Sequence, residues 1–424
     1  MMTEKAVTQT GTMQLTPVER DMLKGVYGEA TKNAIEFQIK VGNFFEAERF
    51  VEINNAHVMG DIEVMGDAGF DLLKSMSSSG ARCVVPTTSN ARCMHFDRCE
   101  SLKPDCQEQK KEEEIIFHLN KIGVSTIDTC INYQTAYQAS FGEHLAWGDT
   151  GTVIYANSVF GARANYEGGV SSFAAALTGR TPAYGFHLDR HRKGTILVDI
   201  QCDLADLADW GALGKIVGHP HQNYLDVPVF INIKSAVASD ALKHLGASLA
   251  SYGSMAMFHI VGITPEAKSV EMAFGGGTPS RQMIIRQSDL NQVYESYHFK
   301  PGRSIVVFSG PQQSLFEIEN LAKLFAHRAV AKNTSVFVTT NHAVYADAVR
   351  CGYIELLESA GVTVLKGVCF YLLQRLTEIR KENEWVNLVS NSAKIVNTIT
   401  AHRFNTVLRK TSDCIEIACG GTVK

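Results

Sequence analysis

The sequence predicts an α/β protein with mostly parallel, doubly wound sheets, and two observations carry that expectation. In the last third, β-branched runs at residues 304–309 (SIVVFS), 335–340 (SVFVTT), 362–368 (VTVLKGV) and 385–389 (WVNLV) are interspersed with helical text at 314–326, 345–349 and 354–359. Strands alternating with helices are the pattern of crossover units and parallel sheets. The chain is also 424 residues long, beyond the roughly 150 residues of an ordinary domain, so two or three packed units are expected.

In chain order, residues 1–15 are polar and read as a disordered lead. Thr16, Pro17 and Glu19 form a capping box with proline at the first helical position, which predicts a helix running towards Gly42. A second helix is expected over 67–77, then a strand over 82–86 that delivers Thr87, Thr88, Ser89 and Asn90 into a loop. Further strand text stands at 153–156, 196–200, 229–233 and 255–261. A break near 286–301 divides a region 16–290 from a doubly wound region 291–424. In sheets of this kind ligands bind beyond the carboxyl ends of strands, which directs attention to residues 310–313, 340–342, Cys369 and 390–394.

Composition excludes several classes of function. Hydrophobic residues make up 45% and charged residues 20%, values ordinary for soluble proteins, and no long apolar run offers a membrane span. The start has no signal core, which predicts a cytoplasmic protein. A net charge of −4 without Lys/Arg runs argues against nucleic acid and for small-molecule chemistry. Ten cysteines in such a chain read as reduced thiols.

Residues 141–169 carry the densest polar text. Glu143 and His144 pair an acid with an imidazole. A strand at TVIYA is then expected to empty into a glycine-punctuated loop with Asn157, Ser158, Arg163, Asn165 and Glu167, followed by a helix entered at Ser171. Arginine grips carboxylates and phosphates bidentately, and a helix start favours anions. Turn closure is the plain alternative for each of these residues. Asn391, Ser392 and Lys394 (SNSAK) form another anion-competent corner after a strand. Cys130 and Cys369 stand where strands should end, positions from which thiolates can hold a metal. Cys93, His95, Cys99 and Cys106 have spacings that fit no standard zinc motif. Of the histidines, only His57 and His144 join the candidate site.

AHVMG (56–60), VPTTSN (85–90), GEHLAWG, YANSVFGARANYEGG, ALTGRTPAYGFHLD, HIVGITPEA (259–267) and SNSAK closely resemble the large-subunit region of the aconitase X family. They do so in order from about Gln14 onwards. The resemblance implies an aconitase-like multi-unit fold and elimination of water from a small hydroxylated acid such as cis-3-hydroxy-L-proline or phosphomevalonate. It also implies an iron–sulfur cluster, with Cys130 (in TCINY) and Cys369 (in GVC) as metal ligands. Gly310 stands where the family's remaining ligand cysteine would be, Gln312 where its histidine would be, and Asn132 replaces a proline. The site then reads as a small anionic substrate gripped by Arg163, Asn165, Asn391, Ser392 and Lys394. His57, Thr87, Thr88, Asn90, Tyr133, Asn157 and Ser158 are supporting contacts. Glu143, oriented by His144, or a serine of the partner acts as base, and Lys394 is counted with the catalytic groups. A separate small swivel-domain subunit is expected to complete the site. Two alternatives stand beside this reading: a cluster-free homologue using acid–base residues alone, and a non-catalytic homologue that binds a small acid.

Overall fold

The structure is a computed structural model that describes residues 13–98 and 102–421; Cys99 and most of the expected disordered lead lie outside them. Met13, within that lead, is buried, and Gln14 N–H bonds Glu48 O at 2.7 Å, so the ordered chain begins earlier than expected.

Three parallel sheets form the frame. In chain order the strands are β1 (Phe50–Glu52), β2 (Asn55–Val58), β3 (Thr87–Ser89), β4 (Val124–Ser125), β5 (Leu145–Trp147), β6 (Arg180–Pro182), β7 (Ile196–Gln201), β8 (Pro228–Ile231), β9 (His259–Ile260), β10 (Arg281–Arg286), β11 (Arg303–Phe308), β12 (Thr334–Thr340), β13 (Thr363–Lys366), β14 (Trp385–Ser390) and β15 (Asn405–Leu408). The first sheet has the order β4-β3-β2-β5, the second β10-β7-β8-β9 and the third β13-β12-β11-β14-β15. Every pairing in them is parallel, while β1 and β6 form a separate antiparallel ribbon.

The third sheet is doubly wound as expected. Along β11, Ile305 and Val307 enter one core and Val306 and Phe308 the other. Burial on both faces is why its strands read as unbroken apolar runs. The first of these cores also holds Trp147, Ile154 and Phe230 and so joins all three sheets.

Several local expectations are corrected. The single helix from Thr16 is two, Pro17–Leu23 and Glu29–Phe44, although the Thr16–Glu19 capping box forms. The second helix starts earlier, at Ile62, and kinks at Gly66. Extended pairing falls on Thr87–Ser89 rather than on 82–86. The 255–261 strand shrinks to His259–Ile260.

The largest error lies at TVIYA, which is the helix Thr150–Tyr155 continued by a π-helical turn, Ala156–Phe160. Asp149 caps its start by accepting Gly151 N–H at 2.9 Å and Thr152 N–H at 3.2 Å. Val153, Ile154 and Tyr155 are all buried. A helix apolar all round shows no helical periodicity, and its β-branched residues imitate a strand.

Candidate active site

The first and third sheets meet carboxyl end to carboxyl end. Asp149 follows β5, Asn90 follows β3 and the Cys130 loop follows β4; Gln312 follows β11, Cys369 follows β13 and Lys394 follows β14. Contacts cross between the two sets. Lys394 Nζ lies 3.8 Å from Asp149 Oδ1, Gln312 N–H points at Cys130 Sγ over 3.3 Å, and Arg92 pairs with Val368 in a parallel bridge. Ligand binding beyond strand carboxyl ends is the rule for open parallel sheets, and here two such ends enclose one crevice.

The crevice is buried and charged. Lys394 and Asp149 are each 7% exposed, Cys130 and Cys369 5%, and His57 is fully covered. Burial alone would lower the Lys394 pKa, but Asp149, with Cys130 and Cys369, raises it above the ordinary lysine value, so the ammonium is kept. Burial lowers His57 to about 4 despite the opposing pull of Asp149, leaving a neutral imidazole at pH 7. Burial and Asp149 push the Cys130 thiol up to about 11, and burial with Cys130 raises Cys369 further. Tyr133 stacks on Tyr155 with ring centroids 4.0 Å apart beside the Cys130 loop.

Several buried polar atoms here make no well-formed hydrogen bond within the protein: His57 Nε2, Asn90 Oδ1, Asn391 Oδ1 and both amide atoms of Asn132. Each such group costs about 1–3 kcal/mol unless something satisfies it, and such orphans are a mark of a ligand-binding position. His57 Nδ1 sits 2.8 Å from Thr88 Oγ1, which orients the ring. Behind Asn90, the buried Arg92 guanidinium is 2.9 Å from both Glu112 and Asp128, and Ser89 Oγ donates to Asp128 at 2.7 Å. That network fixes the β3 and β4 loops.

The predicted residues divide accordingly. His57, Thr88, Asn90, Cys130, Tyr133, Cys369, Asn391 and Lys394 belong to the carboxyl-end crevice. Thr87 returns its hydroxyl to Val85 O, and Ser392 caps the helix Ala393–Thr398 while its hydroxyl bonds Gly310 O.

The others lie elsewhere. His144 precedes β5 and pairs with Arg163, whereas Trp147, at the strand's far end, pairs with Tyr166. Glu143, His144 and Arg163 are therefore at the amino end of β5, away from Lys394. Arg163 spends its guanidinium on Asp189 and on His187 O. Glu143 accepts from the Tyr137 hydroxyl and from Ser140 N–H. Asn157 bonds Ala164 O and Ala256 O, Ser158 accepts Phe258 N–H, and Asn165 bonds Tyr184 O, Phe186 N–H and the Tyr224 hydroxyl. These side chains are all engaged within the protein.

Sequence reasoning missed Asp149 and Arg92. Asp149 was findable: it follows the short apolar run LAW and precedes TG, the position of a residue beyond a strand and capping a helix.

Two parallel sheets facing each other across a buried, charged crevice place the chain among α/β enzymes. The chain belongs to the aconitase X family, whose first, second and third domains match residues 12–190, 194–295 and 303–420. It is 35% identical over 361 residues to the phosphomevalonate dehydratase large subunit of Thermococcus kodakarensis, covering 84% of this chain and 89% of that one. The Methanosarcina mazei large subunit of the same name is 34% identical, over 84% and 86% of the two chains. The cis-3-hydroxy-L-proline dehydratase of Pseudomonas aeruginosa is 28% identical over 96% of this chain and 70% of its own. The crystal structure of holo-form aconitase X from Thermococcus kodakaraensis superposes with a TM-score of 0.85 at 32% identity, covering 96% of this chain and all of that one. These relatives are dehydratases, that is, hydro-lyases.

No helix among the described residues is long and apolar enough to cross a membrane. Nor do the residues present fit a three-thiolate cluster: no group of three His, Cys, Asp or Glu side chains in metal-holding proximity occurs among the described residues. Gly310 adopts φ +61°, and a Cβ there would meet Ile395 at 3.2 Å.

Proposed function

We propose that this chain is the large subunit of a cytoplasmic aconitase X-type hydro-lyase that dehydrates a small hydroxylated acid, completed by a separate small subunit. One observation carries the reading: Lys394 and Asp149, delivered by different sheets, meet 3.8 Å apart in a buried crevice beside the neutral His57 imidazole. Elimination of water needs a base for the proton α to the carboxylate, an electrophile for the departing hydroxide and a grip on the anion. The His57 imidazole, held by Thr88 and neutral at pH 7, is the group that takes the proton. The Lys394 ammonium supplies positive charge in a site shielded from water, where that charge acts at full strength. The unspent Oδ1 atoms of Asn90 and Asn391 are acceptors for a substrate hydroxyl. Two thiols alone are a poor hold for a cluster, so no step is routed through one.

The small-subunit reading is supported by the relatives at 31–35% identity, which are named large subunits. The test is to co-purify the chain with its small-subunit partner and follow loss of water from cis-3-hydroxy-L-proline and from phosphomevalonate by mass spectrometry. Turnover of one of them, strongly reduced by Lys394→Met, is expected. An active-site-loaded complex that dehydrates neither these nor other β-hydroxy acids overturns the proposal.

A further inference from the structure

Gln312 is completely buried, and every polar atom it has is engaged. Its side-chain Oε1 accepts Cys130 N–H at 3.2 Å, and its Nε2 lies 3.2, 3.1 and 3.1 Å from the carbonyl oxygens of Asp128, Thr340 and Val368. Its backbone N–H points at Cys130 Sγ, and its carbonyl accepts from the buried Lys243 ammonium at 3.2 Å. Asp128 and Cys130 belong to the loop after β4 in the first sheet. Val368 precedes Cys369 in the loop after β13, and Thr340 ends β12 in the third sheet. One amide therefore ties both cysteine loops to each other and the first sheet to the third.

We propose that Gln312 is a positioning residue that assembles the crevice from protein alone, holding the Cys130 and Cys369 loops together as a bridging metal centre would. The tie most available to two neighbouring thiols is a shared metal, yet among the described residues no third donor completes a metal-holding group. At Gly310 a side chain would sit on a left-handed backbone with its Cβ pressed on Ile395 at 3.2 Å. A glutamine amide has the needed valence, two donor hydrogens and an acceptor oxygen in one rigid plane. Buried amide bonds of this kind are strong because their alternative is an unsatisfied polar group. The significance of the crevice rests on the function proposed above; the holding of the loops does not depend on turnover.

The test reads the thiols, not activity. The full-length chain, purified anaerobically, is treated with iodoacetamide with and without an iron chelator, and alkylation of Cys130, Cys369 and the remote buried Cys414 is quantified by peptide mass spectrometry. Wild-type protein is expected to protect both site thiols equally in the two conditions. Gln312→Met, which keeps the shape and removes the amide, is expected to raise alkylation of Cys130 and Cys369 at least about tenfold relative to Cys414, as local opening of the loops requires. Gln312→Glu keeps an acceptor but loses the donors to three carbonyls, and should give the same pattern should the methionine variant not fold. Site thiols still protected in both folded variants, or Cys414 exposed in parallel with them, would overturn the proposal. So would wild-type protein that loses iron and labile sulfide to the chelator and exposes both thiols as it does so.

Discussion

The two ends of strand β5 are both crowded with polar side chains, and they are built on opposite principles. At the amino end most groups are engaged: the His144 and His187 imidazoles meet Nδ1 to Nδ1 at 2.9 Å, Arg163 pairs with an aspartate that is 80% exposed, Glu143 holds Tyr137 and Ser140, and only His187 Nε2 is left over. At the carboxyl end, Asp149, Lys394, His57, Asn90 and Asn391 are buried, and several keep hydrogen-bonding capacity unspent. Dense polar text is thus a better candidate for a site where several of its groups stay unsatisfied. In a parallel sheet that is the carboxyl end.

Removing support from each end gives the largest expected contrast. Arg92→Met strands Glu112 and Asp128 without their buried counter-charge, which should cost about 3–5 kcal/mol. Arg163→Met breaks a pair whose acid is exposed, worth about 0–1 kcal/mol. Urea unfolding of the two variants measures the difference; equal losses would remove the distinction between the ends.

Catalysis should divide in the same way. Lys394→Met is expected to lower kcat/KM by on the order of 10²- to 10³-fold, the usual effect of deleting a preorganised charge that faces the reacting atoms. Arg163→Lys should leave it within about threefold, since the loss falls on a brace to Asp189. Steady-state kinetics of the reconstituted enzyme decide, and a large loss in the arginine variant would return Arg163 to the site.

The histidines at the two ends are both held neutral, with different consequences. Burial lowers His57 from 6.5 to about 4. Between those values the unfolded chain takes up a proton and the folded chain does not, so stability present above pH 6.5 is lost as pH falls to 4. Below that no more is lost from this group. A shift of this size corresponds to about 3 kcal/mol. His144 is also lowered to about 4, by burial and then by Arg163, but it is only partly buried and should contribute less. Unfolding free energies measured from pH 7 to pH 4 should flatten more in His57→Gln than in His144→Gln.

These two ends also show what the sequence could and could not disclose. The strands of the third sheet were legible because burial on both faces makes them continuous apolar runs. Only β15 escaped, being four residues of which two are half-buried. In the first sheet the strands are two to four residues long, too short for a period to show, and the apolar helix Thr150–Tyr155 took the place of β5. That one displacement put Asp149 out of view and carried Arg163, Asn157, Ser158 and Asn165 into the site. Lys394, Asn391 and Cys369 were found because each follows a third-sheet strand that was read correctly or nearly so, whereas Cys130 lies beyond the short strand Val124–Ser125, which was not read.

The smallest expected effect concerns Gly310, on the third-sheet side of the crevice, and it turns on backbone rather than charge. At φ +61° any side chain is strained by about 1–2 kcal/mol. A Cβ would also press on Ile395 Cβ and Cδ1 at 3.2 Å, asking the helix Ala393–Thr398 to give by a few tenths of an ångström. That helix carries Lys394 and begins at Ser392, whose hydroxyl grips the Gly310 carbonyl. Gly310→Ala should therefore lower stability by about 1–2 kcal/mol in thermal unfolding and blunt activity by displacing Lys394. Gly310→Cys should cost about the same stability while retaining no more iron than wild type, because its sulfur starts out directed at Ile395. A cysteine variant that is as stable as wild type and binds iron with labile sulfide would show that the third-sheet loop can turn its side chain into the crevice, and that the glycine alone separates this chain from a three-thiolate site.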